Sequence, residues 1–270
     1  MKKINYKFSK ALITGASSGL GQEYARQLAE TGTDLILVAR RRERLEALAA
    51  DLNARYRVGT EVFPADLSVD EDLNSVARKI AQTPELDLMI NNAGFGGHGQ
   101  FHLDEKGEAD QMIKVHVVAT TILTRAALPA MMARRQGAII NVASVAAFSP
   151  LSGTMYSSTK AFELMFSENL QTELYDSGIK VQALCPGLTH TEFHERAGLN
   201  LSAVPEIFWM SAEEVVRISL RALRGYKVII VPGNINKIMT FFLRCPWTFN
   251  LIHRAKKKKK IREMADRSLR

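Results

Sequence analysis

The chain has 270 residues, 46% of them hydrophobic and 24% charged, ordinary figures for a soluble protein of one large or two small domains. Cys185 and Cys245 are the only cysteines, no run of about 18 apolar residues announces a membrane-spanning helix, and the basic start MKKINYKFSK passes into ALITG without a signal-peptide core; these features suit a cytoplasmic protein. The formal charge of +8 is local: residues 254–270 hold nine Lys/Arg and two Asp/Glu, leaving about +1 for the rest, so no nucleic-acid-binding domain is expected.

Residues 10–40 read as strand, glycine-rich turn, helix and strand. KALITG is a short apolar strand, Leu20, Tyr24 and Leu28 recur at helical spacing, and DLILVAR reads as a buried parallel strand. The turn carries Gly15, Gly19 and Gly21, with Ser17, Ser18 and Leu20 among them. Glycines here let the backbone approach a pyrophosphate, whose charge rests on free N–H groups at the helix start. The spacing is T-G-x-x-x-G-x-G, and a loop that merely turns is the plain alternative.

Where the second strand ends, an acid would accept from the ribose of NAD and repel the 2′-phosphate of NADP. This chain has Ala39, Arg40, Arg41 and Arg42 there. Arg40 with Arg41 offers charge-assisted bonds to a 2′-phosphate, and Ser17 adds a hydroxyl, so the charge favours NADP. Otherwise the arginines simply open the solvated helix RRERLEALAADL.

The strand VFPAD ends at Asp66 and Leu67, a place suited to an adenine ring. An amphipathic helix over 70–82 follows, then the buried strand LDLMINNAG. Its asparagines, Asn91 and Asn92, are suited to tying loops together, while Ala93 and Gly94 admit a cofactor. A long helical segment spans about 103–135, with Pro129 suggesting an irregular end. AIINVAS then delivers Ser144, a helix runs from Met155 to about 176–178, and IKVQALCPG leads into a loop with Pro186, Gly187, Thr189 and Thr191. The alternation predicts a single Rossmann-type doubly wound parallel sheet, helices on both faces, with the site at the strands' C-terminal ends.

Tyr156 and Lys160 are four apart, so on one helix both side chains leave the same face. A phenol beside an ammonium is a usable acid/base, because the fixed charge favours phenolate. TGASSGLG (14–21), DL (66–67), NNAG (91–94), Ser144, YSSTK (156–160) and PGLTHT (186–191) occur in this order over about residues 8–232. Together they resemble the classical short-chain dehydrogenase/reductase family. The resemblance implies seven parallel strands and reversible hydride transfer between NAD(P) and a carbonyl or alcohol. It makes Tyr156 the proton donor or acceptor and Ser144 the group that positions the substrate oxygen. Lys160 would hold the nicotinamide ribose and lower the tyrosine pKa, and Thr189 and Thr191 would contact the carboxamide.

One position departs from the family. Thirteen residues before Pro129, where the family has an asparagine that anchors a water, this chain has His116. A neutral imidazole has one donor and one acceptor and titrates near neutral pH. The ring is either a substitute in the proton path or a packed helical histidine.

Residues 188–211 form a lid over the substrate. Its Phe193, Leu199, Leu201, Val204, Ile207, Phe208 and Trp209 point to a lipophilic carbonyl or alcohol, or to packing on the core or a second subunit. His190 and His194 have helical metal-ligand spacing, but no third ligand accompanies them and no metal is expected. Residues 1–233 are the catalytic domain and 234–270 a basic amphipathic tail. Apolar residues from Ile238 to Ile252 ahead of five consecutive lysines suit either an anchor on anionic lipid or docking over protein. The family resemblance implies a homodimer or homotetramer through the helices at 103–135 and 156–176. An NADP-dependent reductase of a lipophilic carbonyl is the leading function, and a non-catalytic NADP-binding scaffold on the same fold is the alternative.

Overall fold

Strand β1 (Lys10–Thr14) shows how the sheet divides its core. Ala11 and Ile13 face one side, Leu12 the other, and all three are completely buried. That two-sided burial is what a parallel strand covered by helices requires. The structure is a computed structural model that describes residues 8–97, 101–104, 107–150, 152–198, 201 and 203–243.

Helix α1 (Gly19–Glu30) carries the chain to β2 (Asp34–Ala39), and α2 (Arg42–Tyr56) carries it on to β3 (Thr60–Pro64). After α3 (Asp70–Ala81), β4 (Leu86–Asn91) returns to the free side of β1. Three strands extend that side: β5 (Gly137–Val142), β6 (Ile179–Leu184) and β9 (Ile229–Ile230). All pairs in the sheet β3-β2-β1-β4-β5-β6-β9 are parallel. The expected seven-stranded Rossmann-type sheet is therefore present, and the chain reverses direction between β1 and β4. A crevice outside the strand ends at such a reversal is where this architecture binds ligands.

Helices α1 and α2 and the later α8 (Ala212–Ala222) cover one face through Tyr24, Leu28, Leu45, Leu52, Val215 and Leu220. The other is covered by α3, a long helix over 108–134, and α6 (Thr154–Glu173), through Val76, Leu123, Met131 and Leu170. The long helix has α-helical ends, α4 (Glu108–Ile113) and α5 (Thr120–Arg134), joined by a π-helical stretch, Lys114–Ala119. The irregularity thus lies at His116, not at Pro129. Pro129 sits inside α5 on its exposed side, where water can satisfy the carbonyl that a proline leaves unpaired. By length and composition this helix could cross a membrane, but it packs on α3 and β4 as a layer of the fold.

One further expectation needs correction. The segment 186–191 is not all loop, because β7 (Leu188–His190) pairs in parallel with β8 (Trp209–Ser211). Among the described residues between them stand α7 (Glu192–Arg196) and a 3-10 turn, Glu206–Phe208. The start of the tail, helix α9 (Asn234–Leu243), docks on protein: Asn236 and Thr240 are buried against the domain, and Asn236 donates to Pro232 O at 2.9 Å. The basic run 254–270 and Cys245 lie outside the described residues.

Candidate active site

A cavity of about 500 Å³ runs along the strand ends from the glycine turn to Phe193 and Ala197. All the site residues assigned from sequence line it except Gly21 and His116, which lie behind its wall. At the turn, Gly15 has φ +67°, and a Cβ there would sit 2.8 Å from Asn92 Nδ2. A Cβ on Gly21 would meet Gly15 O at 2.3 Å. The turn can therefore be this tight only with glycine. Asn92 fixes it by donating from Nδ2 to Thr14 O at 2.9 Å, while Thr14 Oγ1 accepts from the Asn92 and Ala93 amides at 2.9 and 3.0 Å. Asn91 ties β4 to its neighbours through Asn141 Oδ1 and Thr124 Oγ1. These close approaches fit a pyrophosphate laid across the start of α1.

At the end of β2 the two arginines separate. Arg40 turns to Asp66, 3.6 Å away. Burial alone would raise the Asp66 carboxyl, but hydrogen bonds from Ser68 and the nearby Arg40 outweigh it and hold Asp66 below its ordinary value. Arg41 folds back onto the glycine turn and donates to Ser17 Oγ at 2.9 Å and Ser18 Oγ at 2.9 Å. One guanidinium and two hydroxyls thus meet at one point, the donor set a phosphate dianion takes. The lid reaches the same place: Glu192 lies 3.4 Å from Arg41 and 2.8 Å from Arg44.

At the other end of the cavity stand Ser144, Tyr156 and Lys160. Ser144 is just beyond β5, where its Oγ accepts from Ala146 N at 3.1 Å and caps a short 3-10 turn. That cap fixes the hydroxyl on the Tyr156 side, where it helps to lower the phenol's pKa. Lys160 Nζ lies 5.9 Å from the centre of the Tyr156 ring and donates to Val142 O at 2.8 Å. It also donates to Glu163 Oε2 at 2.8 Å, one turn on along α6. Burial raises the Tyr156 phenol above its ordinary value, and the partly opposing pull of Lys160 and Ser144 does not cancel that rise. The lysine therefore pulls the phenol down, as expected, without winning. Burial also raises Glu163, to about 7, against the attraction of Lys160.

His116 has both ring nitrogens engaged. Nε2 accepts from Phe95 N at 3.1 Å, so the proton is on Nδ1, which donates to Thr159 Oγ1 at 2.9 Å. Burial, then the Lys160 charge, holds the ring well below its ordinary value. It is neutral and does not titrate near neutral pH, contrary to expectation. A Cβ on Gly94 would lie 2.9 Å from His116 Nε2 and 3.4 Å from Lys160 Nζ, so the ring closes the floor on which Gly94 rests.

The mouth is partly apolar and differently built than the lid sequence suggests. Phe193 lies 5.8 Å from the Tyr156 ring, and Phe95, Val115 and Ala197 add apolar wall beside Glu108, Gln111 and His194. Ile207 and Phe208 face solvent instead, and Leu199 lies outside the described residues. Trp209 stacks on His190 at 4.8 Å. His190 bonds Glu206, and His194 accepts from Thr189 N at 3.4 Å. Phe95, Val115, Glu192 and Glu163 were missed in the sequence. Only Glu163 carried a signal, as an acid three residues after Lys160 on the same helix.

The profile of the family described as short chain dehydrogenase matches residues 9–201. The chain belongs to this family. Among the relatives of this short-chain dehydrogenase is a very-long-chain 3-oxoacyl-CoA reductase of Anas platyrhynchos, 33% identical over 65% of the chain and 58% of that protein. The match thus spans little more than half of that relative's length. A short-chain dehydrogenase of Sphingobium yanoikuyae, solved in complex with NADPH, superposes with a TM-score of 0.80 at 34% identity, covering 93% of this chain and 94% of that one. A bulky-bulky ketone specific alcohol dehydrogenase of Comamonas testosteroni gives 0.76 at 30% identity, with 94% of each chain covered. The short-chain dehydrogenases are a family of oxidoreductases that act on alcohol and ketone groups and bind a nicotinamide cofactor.

Proposed function

We propose that this chain is an NADP(H)-preferring reductase of a lipophilic carbonyl compound, with Tyr156 as the general acid. The carrying observation is the convergence of Ser144, Tyr156 and Lys160 under an apolar wall, at the opposite end of one cavity from the Arg41–Ser17–Ser18 cluster. When bound, the dinucleotide supplies the hydride. Gly15, Gly94, Arg41, Asp66 and Lys160 are positioned to hold it, with Pro186, Gly187, Thr189 and Thr191 beside the nicotinamide end. Ser144 holds the substrate oxygen against the Tyr156 hydroxyl. Tyr156 gives that oxygen its proton as charge develops there, which a phenol kept protonated by burial is suited to do. Phe95, Val115 and Phe193 exclude water and favour apolar substituents on the carbonyl carbon.

Two relatives support this reading by what their descriptions name: NADPH in the Sphingobium structure and bulky ketones for the Comamonas enzyme. A very-long-chain 3-oxoacyl thioester is the acyl member of the same substrate class. The test titrates NADPH and NADH by fluorescence, then follows NADPH oxidation with lipophilic ketones and 3-oxoacyl thioesters. Tighter NADPH binding is expected, with turnover falling at least about 100-fold in Tyr156→Phe. Tighter NADH binding would refute the cofactor assignment, and a Tyr156→Phe enzyme of unchanged rate would refute the acid. With the three groups assembled, the scaffold alternative has no observation in its favour.

Two partner assignments belong to the same reading. Exposed Val118, Met132 and Met165 on the long helix and α6 support pairing of two copies there, which light scattering would read. Exposed Ile238, Phe241 and Phe242 on α9, just ahead of the basic run, support peripheral contact with anionic membrane.

A further inference from the structure

The Lys160 ammonium has three N–H groups, and the protein takes two of them: one goes to Val142 O and one to Glu163 Oε2, each at 2.8 Å. Lys160 is 3% and Glu163 1% exposed. A carboxylate this close and this dry offsets much of the charge that would otherwise act on Tyr156. The family resemblance accounts for the lysine but not for the acid. We propose that Glu163 is a positioning residue that holds Lys160 against β5 and draws its charge away from Tyr156, biasing the site toward proton donation and hence carbonyl reduction.

Other features agree in sign. The Glu163 charge raises the phenol, opposite to Lys160. The titratable groups acting on one another here are Lys160, Tyr156 and Glu163 of α6 and His116 of the π stretch, and His116 is neutral. Asn141 and Ser167, which pack beside the acid, do not titrate: Ser167 Oγ donates to Glu163 O at 2.7 Å and accepts from Asn141 Nδ2 at 2.9 Å. With Glu163 near 7, the pair is closest to neutral above that pH. There the bias against phenolate is strongest.

The inference rests on Tyr156 being the acid, and the experiment separates the two claims. In Glu163→Gln the amide oxygen still accepts from Lys160, but the negative charge is gone. Tyrosinate formation is followed by ultraviolet difference absorbance without substrate, with Tyr156→Phe/Glu163→Gln as the reference. The Tyr156 ionisation is expected to move to lower pH by about half a unit or more. The ratio of the maximal rates (kcat) of reduction and oxidation near pH 8 should fall about three-fold or more, as that shift implies, with the KM values of carbonyl and alcohol moving in compensation because the equilibrium constant is fixed. The KM for NADPH should stay within about two-fold, because Lys160 remains held. Glu163→Asp, which keeps the charge, should retain the wild-type ionisation. If the Gln variant does not fold, Glu163→Ser is read in the same titration. An unshifted or raised Tyr156 ionisation in the neutral variant, or the same downward shift in Glu163→Asp, would overturn the proposal. A clear shift with no turnover on any carbonyl would instead count against the catalytic reading alone.

Discussion

The His116 ring, itself fully buried, gives a hydrogen to Thr159 and takes one from the Phe95 amide. Those bonds favour the packed role over a place in the proton path. A ring with both nitrogens occupied and no charge holds the Gly94–Phe95 floor and the first turn of α6 together. Two consequences can be measured. Replacing His116 by Ala takes the partner from the half-buried Phe95 amide and opens a cavity, a loss of about 2–4 kcal/mol in denaturant unfolding. The pH dependence has a definite sign. Below about 6.5, its ordinary value, the unfolded ring takes a proton that the folded ring refuses, so the unfolded state binds more protons. Stability then falls as pH falls, with a slope of up to about 1.4 kcal/mol per pH unit from this one group. His116→Asn should lose that component while other acid-labile groups keep theirs; an identical slope in the variant would show the ring to be charged in the fold.

Elements explain why the motifs were legible and their partners were not. Glycines at 15, 19 and 21 and the pair Tyr156–Lys160 report geometry through local spacing, because each lies within one turn or one helix. The π stretch left no such mark. Its widened turns pack against α6, a contact that no local pattern reports, and the sequence signal that was available, Pro129, pointed to the wrong end of the helix. Contacts between elements were equally silent. Arg40 and Arg41 read alike as neighbours in sequence, yet one faces Asp66 and the other reaches the serines of the glycine turn. Glu192 brings α7 to the same arginine from 151 residues away. A carboxylate beside Arg41 repels a 2′-phosphate arriving there, so Glu192→Gln should tighten NADPH by roughly 1.5- to 5-fold, the range for a solvent-accessible pair. NADH, which lacks the phosphate, should bind the variant unchanged. Parallel fluorescence titrations check both, and weaker NADPH binding would make Glu192 a support of the site.

At the scale of the whole molecule, the doubly wound sheet followed from alternating strand and helix patterns, since each buried strand is read from its own residues. The role of the segment after residue 233 was not legible in the same way. Hydrophobic pattern alone cannot tell an anchor from a packed helix, because either is apolar on one side. Here α9 is both. Its inner face sets Asn236 against Gly187, where a Cβ would lie 2.5 Å from the Asn236 side chain, while Ile238, Phe241 and Phe242 point outward. The two ends of the 234–270 segment should therefore separate under truncation. Removing 254–270 takes away a net charge of +7 but no described contact. Turnover of a soluble ketone should stay within about two-fold of the full chain, while sedimentation with anionic vesicles, and its decline as salt is raised, should be lost. Removing 234–270 also removes the support under the nicotinamide-side loop. Activity should then fall at least about ten-fold, because a misplaced contact at a reacting centre costs rate even when the chemistry's own residues remain. Equal activity in both truncations would show that α9 merely lies on the domain. Vesicle binding that survives loss of the basic run would place membrane attachment in the exposed phenylalanines alone.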